Sequence, residues 1–142
     1  MLITKECEYG VRIVRALSNN NVKTMQTIAN EEKIPYDYTY LVAHRLVRAG
    51  FLRSLRGRNG GFQLAKGLES ITMADIILAV DNKRYVSGCV CEDFNCSLKN
   101  KKEKCTVHLE FVNLQNMLMT GLRSKTMDKV LFGENQAVAK KK

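Results

Sequence analysis

Phe51-Leu-Arg-Ser-Leu55, Arg56-Gly-Arg-Asn-Gly-Gly61 and Phe62-Gln-Leu-Ala65 follow one another without a break, and this run decides the fold. Its two flanks read as short strands. Asn59-Gly60 between them is a strong hairpin signal, because both residue types tolerate positive φ. Arg45, Arg48, Arg53, Arg56 and Arg58 lie in or just before this run, with no acid between residues 45 and 58. Guanidinium is the preferred planar partner for phosphate and for the guanine edge. A basic hairpin of this kind, following a helix, reads as the wing of a DNA-binding domain.

The preceding residues supply that helix. Pro35 suits the start of a helix, where its missing N–H is not needed, and Gly50 suits the position just past the end. Between them Tyr38, Val42, Leu46 and Ala49 recur at helical spacing and are expected to face the core. Tyr36, Asp37, Tyr40, Leu41 and His44 are left on the outward flank. Upstream, residues 6–18 read as a first helix with Tyr9, Ile13, Val14 and Leu17 inward. Asn19-Asn20-Asn21 breaks it. Thr24 is a candidate N-cap for a second helix to about residue 33, with Ile28 and Ala29 inward. Helix, turn, helix with an exposed polar flank is helix-turn-helix geometry.

Downstream, Thr72-Met-Ala-Asp75 is a capping box that opens a fourth helix to about residue 80. Residues 81–105 lack helical periodicity. Four of the five cysteines and one of the two histidines fall between Cys89 and His108: Cys89, Cys91, Cys96, Cys105 and His108. Thiolate and imidazole are the usual ligands of zinc and iron–sulfur clusters. From residue 106 to about 122 the periodicity returns, with Phe111, Leu114, Leu118 and Gly121 at heptad-like intervals. This helix is expected to pair with its twin from a second subunit. Thr126 caps a last short helix over residues 127–132, and a basic tail ends the chain.

The totals agree. The 142 residues carry 23 Lys and Arg against 14 Asp and Glu, a formal charge of +9 that points to a polyanionic partner, most often nucleic acid. Glu6 and Glu8 interrupt any leader-like start, and no apolar run reaches the ~18–20 residues of a membrane span. A cytoplasmic protein with reduced thiols is therefore expected. Cys89-Val-Cys91 lacks the C-x-x-C spacing of thiol redox enzymes. Glu31-Glu32 and Glu92-Asp93 read as solvated acids rather than acid–base pairs. An enzyme is not expected.

These residues together resemble the IscR/NsrR family of bacterial winged-helix transcription regulators. Leu2-Ile3-Thr4 and Glu8-Tyr9-Gly10-Val11-Arg12 are similar to the family's opening. Ile28-Ala29, Ile34, Tyr38, Leu46 and Gly50-Phe51-Leu52 follow its helix-turn-helix pattern. Arg56-Gly57 with Gly60-Gly61-Phe62-Gln63-Leu64 resembles its wing signature. Ile71-Thr72, Ile76 and Ala79-Val80-Asp81 match the next helix. The spaced cysteines with a trailing histidine match the cluster-bearing branch.

The resemblance implies a homodimeric repressor of two-fold-symmetric promoters that senses iron–sulfur status, redox state or nitric oxide through a bound iron–sulfur cluster. By position it implies Cys89, Cys96 and Cys105 as ligands. His108 matches the fourth ligand of 2Fe–2S members, which favours that cluster over 4Fe–4S. Cys91 is an alternate to Cys89. Glu8 is a second alternate, supplied across the dimer in some members. The cysteine spacing is looser than usual, and Tyr40 stands where iron–sulfur-homeostasis members often carry glutamate. A structural zinc site, or a metal-free thiol switch regulating sulfur or cysteine metabolism, are the competing readings.

The expected organisation is a winged helix-turn-helix over residues 1–80, a ligand loop over 81–105, a pairing helix and short terminal helix over 106–133, and a tail over 134–142. The fold class is mainly α with a small β-hairpin wing. Double-stranded promoter DNA is the expected partner. Asp37, Tyr40 and His44 are expected to reach base edges, and Tyr36 to hold a phosphate instead. Arg56, Arg58 and Asn59 are expected to enter the adjacent groove.

Overall fold

The computed structural model describes residues 3–81, 85–91, 93–97 and 105–133. Leu2, Glu92 and the tail over 134–142, all used in the reading above, lie outside the described residues.

Helix α1 (Lys5–Ala16) starts at Thr4, whose hydroxyl accepts the Cys7 N–H at 3.4 Å. Glu6 and Glu8 in its first turn suit the positive end of the helix dipole. Tyr9, Ile13, Val14 and Leu17 are buried as expected, joined by Cys7, Gly10 and Ala16. A Cβ on Gly10 would stand 2.9 Å from Val80 Cγ2 and 3.0 Å from Ile76 Cγ2, so glycine lets α1 lie close against the fourth helix. Helix α2 (Met25–Glu32) is capped by the Thr24 hydroxyl, which accepts the Thr27 N–H at 3.1 Å. It closes on Lys33 in the left-handed region, φ 53°.

Helix α3 (Tyr36–Arg48) follows Pro35 and gives way to Gly50 at φ +78°. Its buried residues are Thr39, Val42, Ala43 and Leu46. Tyr38 and Ala49, expected inside, are exposed. The helix is rotated relative to the expected stripe because Thr39 can enter the core: its hydroxyl donates to the Pro35 carbonyl at 3.1 Å, so no polar atom is stranded. Tyr38 lies at the margin, its ring 5.8 Å from that of Tyr9.

Strands β1 (Leu52–Leu55) and β2 (Gly61–Leu64) form the antiparallel hairpin, with Leu52 opposite Leu64 and Leu55 opposite Gly61. The connection is longer than a two-residue Asn-Gly turn. It spans residues 56–60 and is closed by the Gly60 N–H on the Gly57 carbonyl at 3.0 Å. Positive φ falls on Gly57 and Gly61, not on Asn59 and Gly60. The cause is the neighbouring backbone. A Cβ on Gly60 would strike the Leu55 carbonyl, and one on Gly61 would strike the Lys23 carbonyl. Lys23 and Phe62 exchange both backbone hydrogen bonds, at 3.0 and 2.8 Å, which fastens β2 to the α1–α2 connection.

Helix α4 (Met73–Val80) opens with the expected capping box. Thr72 N–H donates to Asp75 Oδ2 at 2.8 Å, and Asp75 N–H donates to the Thr72 hydroxyl at 3.3 Å. Helix α5 (Thr106–Arg123) has no buried residue, and at ~1.5 Å per residue it is about 27 Å long. Helix α6 (Met127–Phe132) turns back, so that Met127 completes the core built by α1 to α4 and the hairpin.

Candidate functional site

The outward face of α3 carries Tyr36, Asp37, Tyr40, Leu41 and His44, all exposed. Their spacing of three or four residues places them on one side of the helix. The His44 ring lies 4.3 Å from that of Tyr40, one turn earlier, and meets the Phe62 ring of β2 edge-on at 5.9 Å. The outward face of α3 and the hairpin are thus in ring contact. Arg56, Arg58 and Asn59 stand exposed on the connection between the strands.

The five arginines divide by role. Arg45 binds the Glu6 carboxylate and donates to the Val80 carbonyl at 2.8 Å, joining α3 to α1 and α4. Arg53 donates to Gln63 Oε1 through Nε and Nη2 at 3.1 and 2.8 Å, and Gln63 Nε2 in turn donates to the Asn20 carbonyl at 2.6 Å. Arg48, Arg56 and Arg58 make no side-chain ion pair or hydrogen bond among the described residues. Sequence reading grouped all five, because partners distant in the chain leave no local signal.

The acids of α2 are structural rather than merely solvated. Glu31 pairs with Lys23 at 2.6 Å, and Glu32 pairs with Arg15. The Glu32 hydrogen bond raises the Arg15 guanidinium above its ordinary value. Glu8 is bracketed by Lys5 at 2.7 Å and Arg12 at 2.6 Å. The Lys5 hydrogen bond outweighs desolvation and, with the Lys5 and Arg12 charges adding to it, holds its carboxyl below the ordinary carboxylate range.

Of the predicted ligands, Cys89 and His108 are brought together: Sγ lies 3.1 Å from Nδ1. The positioning is local on one side and tertiary on the other. Ser87 caps a 3-10 turn over Gly88–Val90 by accepting the Cys89 N–H at 3.4 Å. Val86 N–H donates to Gln115 Oε1 on α5 at 2.8 Å. Gln115 was missed by sequence reading, and nothing in the sequence marks it among other helix glutamines. Cys91, Cys96 and Cys105 are half-buried, with Cys105 immediately before α5. Among the described residues no three His, Cys, Asp or Glu side chains are gathered at one point. Cys89 and His108 supply soft sulfur and nitrogen donors, which suit iron or zinc.

On α5 the heptad-like stripe is split. Phe111 and Leu118 lie on the half-buried side, whereas Leu114 (42% exposed) and Gly121 share the open side with Val107 (61%) and Met117 (64%). No described helix is long and apolar enough to cross a membrane.

A family model described as "Rrf2: Iron-dependent Transcriptional regulator" matches residues 3–132. The HTH-type transcriptional regulator NsrR of Shouchella clausii is 24% identical over 103 residues, covering 70% of this chain and 69% of its own. The solved structure of T. potens IscR superimposes with a TM-score of 0.69 at 20% identity, over 92% of this chain and 86% of its own. CymR, the global cysteine regulator of B. subtilis, superimposes with a TM-score of 0.70 at 21% identity, over 92% and 96%. Both share the mainly helical architecture with a two-stranded hairpin. The family model and the NsrR relative are named as regulators of transcription, not as enzymes. With the family model running from the first helix through the wing to the last helix, the chain belongs to the Rrf2 family of DNA-binding transcriptional regulators.

Proposed function

We propose that this regulator acts as a homodimeric repressor whose grip on promoter DNA answers to the state of the Cys89–His108 segment. Each α3 lies in a major groove, with half-sites ~34–36 Å apart. Tyr36, Asp37, Tyr40 and His44 face the base edges and flanking phosphates. Arg56, Arg58 and Asn59 follow the adjacent groove, where narrow A/T-rich stretches favour arginine. The open stripe Val107, Leu114, Met117 and Gly121 pairs with the same stripe of a second copy, and Gly121 permits close approach.

The observation that carries the sensing half is the 3.1 Å contact between Cys89 Sγ and His108 Nδ1. It joins the loop that follows the winged domain to the helix that pairs subunits. Cys89, Cys96, Cys105 and His108 are the residues assigned to hold an iron–sulfur cluster, 2Fe–2S in preference to 4Fe–4S, with Cys91 and Glu8 as alternates. Such a cluster, when bound, supplies reactivity toward oxygen or nitric oxide and a dependence on iron–sulfur supply. The thiol and imidazole provide the donors; Ser87 and Gln115 hold the backbone that presents them. Lys5 and Arg12 keep Glu8 anionic, the form a ligand needs.

The same contact favours one other reading, a metal-free thiol switch in which Cys89 is hydrogen-bonded to the imidazole of His108. Protein purified without oxygen separates the two. The cluster reading expects a brown protein with iron and inorganic sulfide in equal amounts, lost in Cys96→Ala and Cys105→Ala, with altered DNA binding. Colourless protein without iron or sulfide after reconstitution overturns it, and zinc content then distinguishes a structural metal from the free thiol.

A further inference from the structure

We propose that His44 is a positioning residue for sequence readout: its ring, wedged between Tyr40 of α3 and Phe62 of β2, fixes where Tyr40 falls on the base edges. The proposal rests on the DNA-binding face described above and assigns one of its members a different task from reading bases itself.

The two walls of the wedge differ. Phe62 is buried, and its backbone is hydrogen-bonded to Lys23 at both N–H and carbonyl, so its ring is a fixed surface. Tyr40 is 53% exposed and is in ring contact only with His44 among the described residues. An exposed tyrosine on a helix samples more than one rotamer. Ordering it only upon binding weakens the complex by the entropy lost. The imidazole stands perpendicular to the Phe62 ring, at 85° and 5.9 Å, a geometry aromatic pairs favour, and is tilted 49° from the Tyr40 ring at 4.3 Å. His44 therefore transmits the fixed position of the wing strand to the central ring of the reader helix. Arg56 and Arg58 are outside this chain of contacts, so the phosphate grip does not depend on residue 44.

This predicts a separation of two quantities. With the full-length protein, affinity is measured for the duplex recovered by selection from random DNA and for a randomised duplex of equal length. His44→Ala should lower affinity for the selected duplex about tenfold, the worth of one base contact, and change that for random duplex by less than about twofold. His44→Phe, which restores a ring but no hydrogen-bonding nitrogen, should recover most of the loss. Tyr40→Ala combined with His44→Ala should be no worse than Tyr40→Ala alone. Unchanged melting temperatures establish that the variants are folded.

The proposal is overturned if His44→Phe is as impaired as His44→Ala, which would make the imidazole a direct base reader. It is equally overturned if His44→Ala keeps full selectivity, or if the double variant loses more than Tyr40→Ala. A wild-type protein that selects no sequence, with Arg56→Ala and Arg58→Ala binding unchanged, would remove the DNA-binding face itself and this assignment with it.

Discussion

The Met127 N–H donates to the Ile71 carbonyl at 2.7 Å, and the Met127 side chain is fully buried in the core of the winged domain. Helix α5 is therefore held at both ends. Cys89 contacts it near its start through His108, Val86 contacts its middle through Gln115, and α6 ties its far end to the core.

That anchoring is measurable. Met127→Ala removes a fully buried side chain, and large-to-small changes of this kind cost about 2–5 kcal/mol. Urea unfolding should show a loss in that range with one cooperative transition. A loss below about 1 kcal/mol, within the range of surface substitutions, would place α6 outside the folding unit.

Gly61 is a second structural test. Its φ is +155°, and a Cβ there would strike the Lys23 carbonyl. Gly61→Ala should open the Lys23–Phe62 pairing and destabilise the protein by about 1–3 kcal/mol. Amide exchange should report the opening at Phe62 first. Gly57→Ala at φ +106° meets open space, so only the conformational penalty applies and the loss should be smaller.

How much was legible in the sequence follows from the range of each interaction. The capping box at Thr72 and Asp75, the Thr24 cap and Gly50 past α3 were readable because each is complete within four residues. The wing was readable as a hairpin from alternation and glycine, but its turn was not: Gly61 is crowded by the backbone of Lys23, far back in the chain. Thr39 belonged to neither set of residues read for α3; with its hydroxyl satisfied by the Pro35 carbonyl it sits in the buried stripe, from which Tyr38 is excluded. Cys89 and His108 were named from residue type, and the structure sets those two 3.1 Å apart. The roles of Arg45 and Arg53 depend on Glu6, Val80 and Gln63, which no spacing rule connects to them.

The segment that carries Val86 and Cys89 offers a local test. Gln115→Leu removes the acceptor for the Val86 N–H and keeps the helix. Because a typical hydrogen bond contributes about 1 kcal/mol, exchange of the Val86 amide should accelerate roughly fivefold while the exchange of α3 core amides is unchanged. Equal exchange in both proteins would show that α5 does not hold the loop.

The division of the arginines predicts two classes of variant. If about six phosphates are neutralised, affinity for DNA should fall on the order of a thousandfold between 50 and 200 mM salt. Replacing Arg56 and Arg58 together by alanine should reduce the slope of log affinity against log salt by about two, with no change in melting temperature. Arg45→Ala should do the reverse. It leaves the Glu6 carboxylate and the Val80 carbonyl without their shared donor, a loss of about 1–3 kcal/mol, while the salt slope stays near that of the wild type. A common effect of both changes on the slope would mean that Arg45 leaves Glu6 to meet phosphate when DNA binds, and the assignment of Arg45 to the fold would fail.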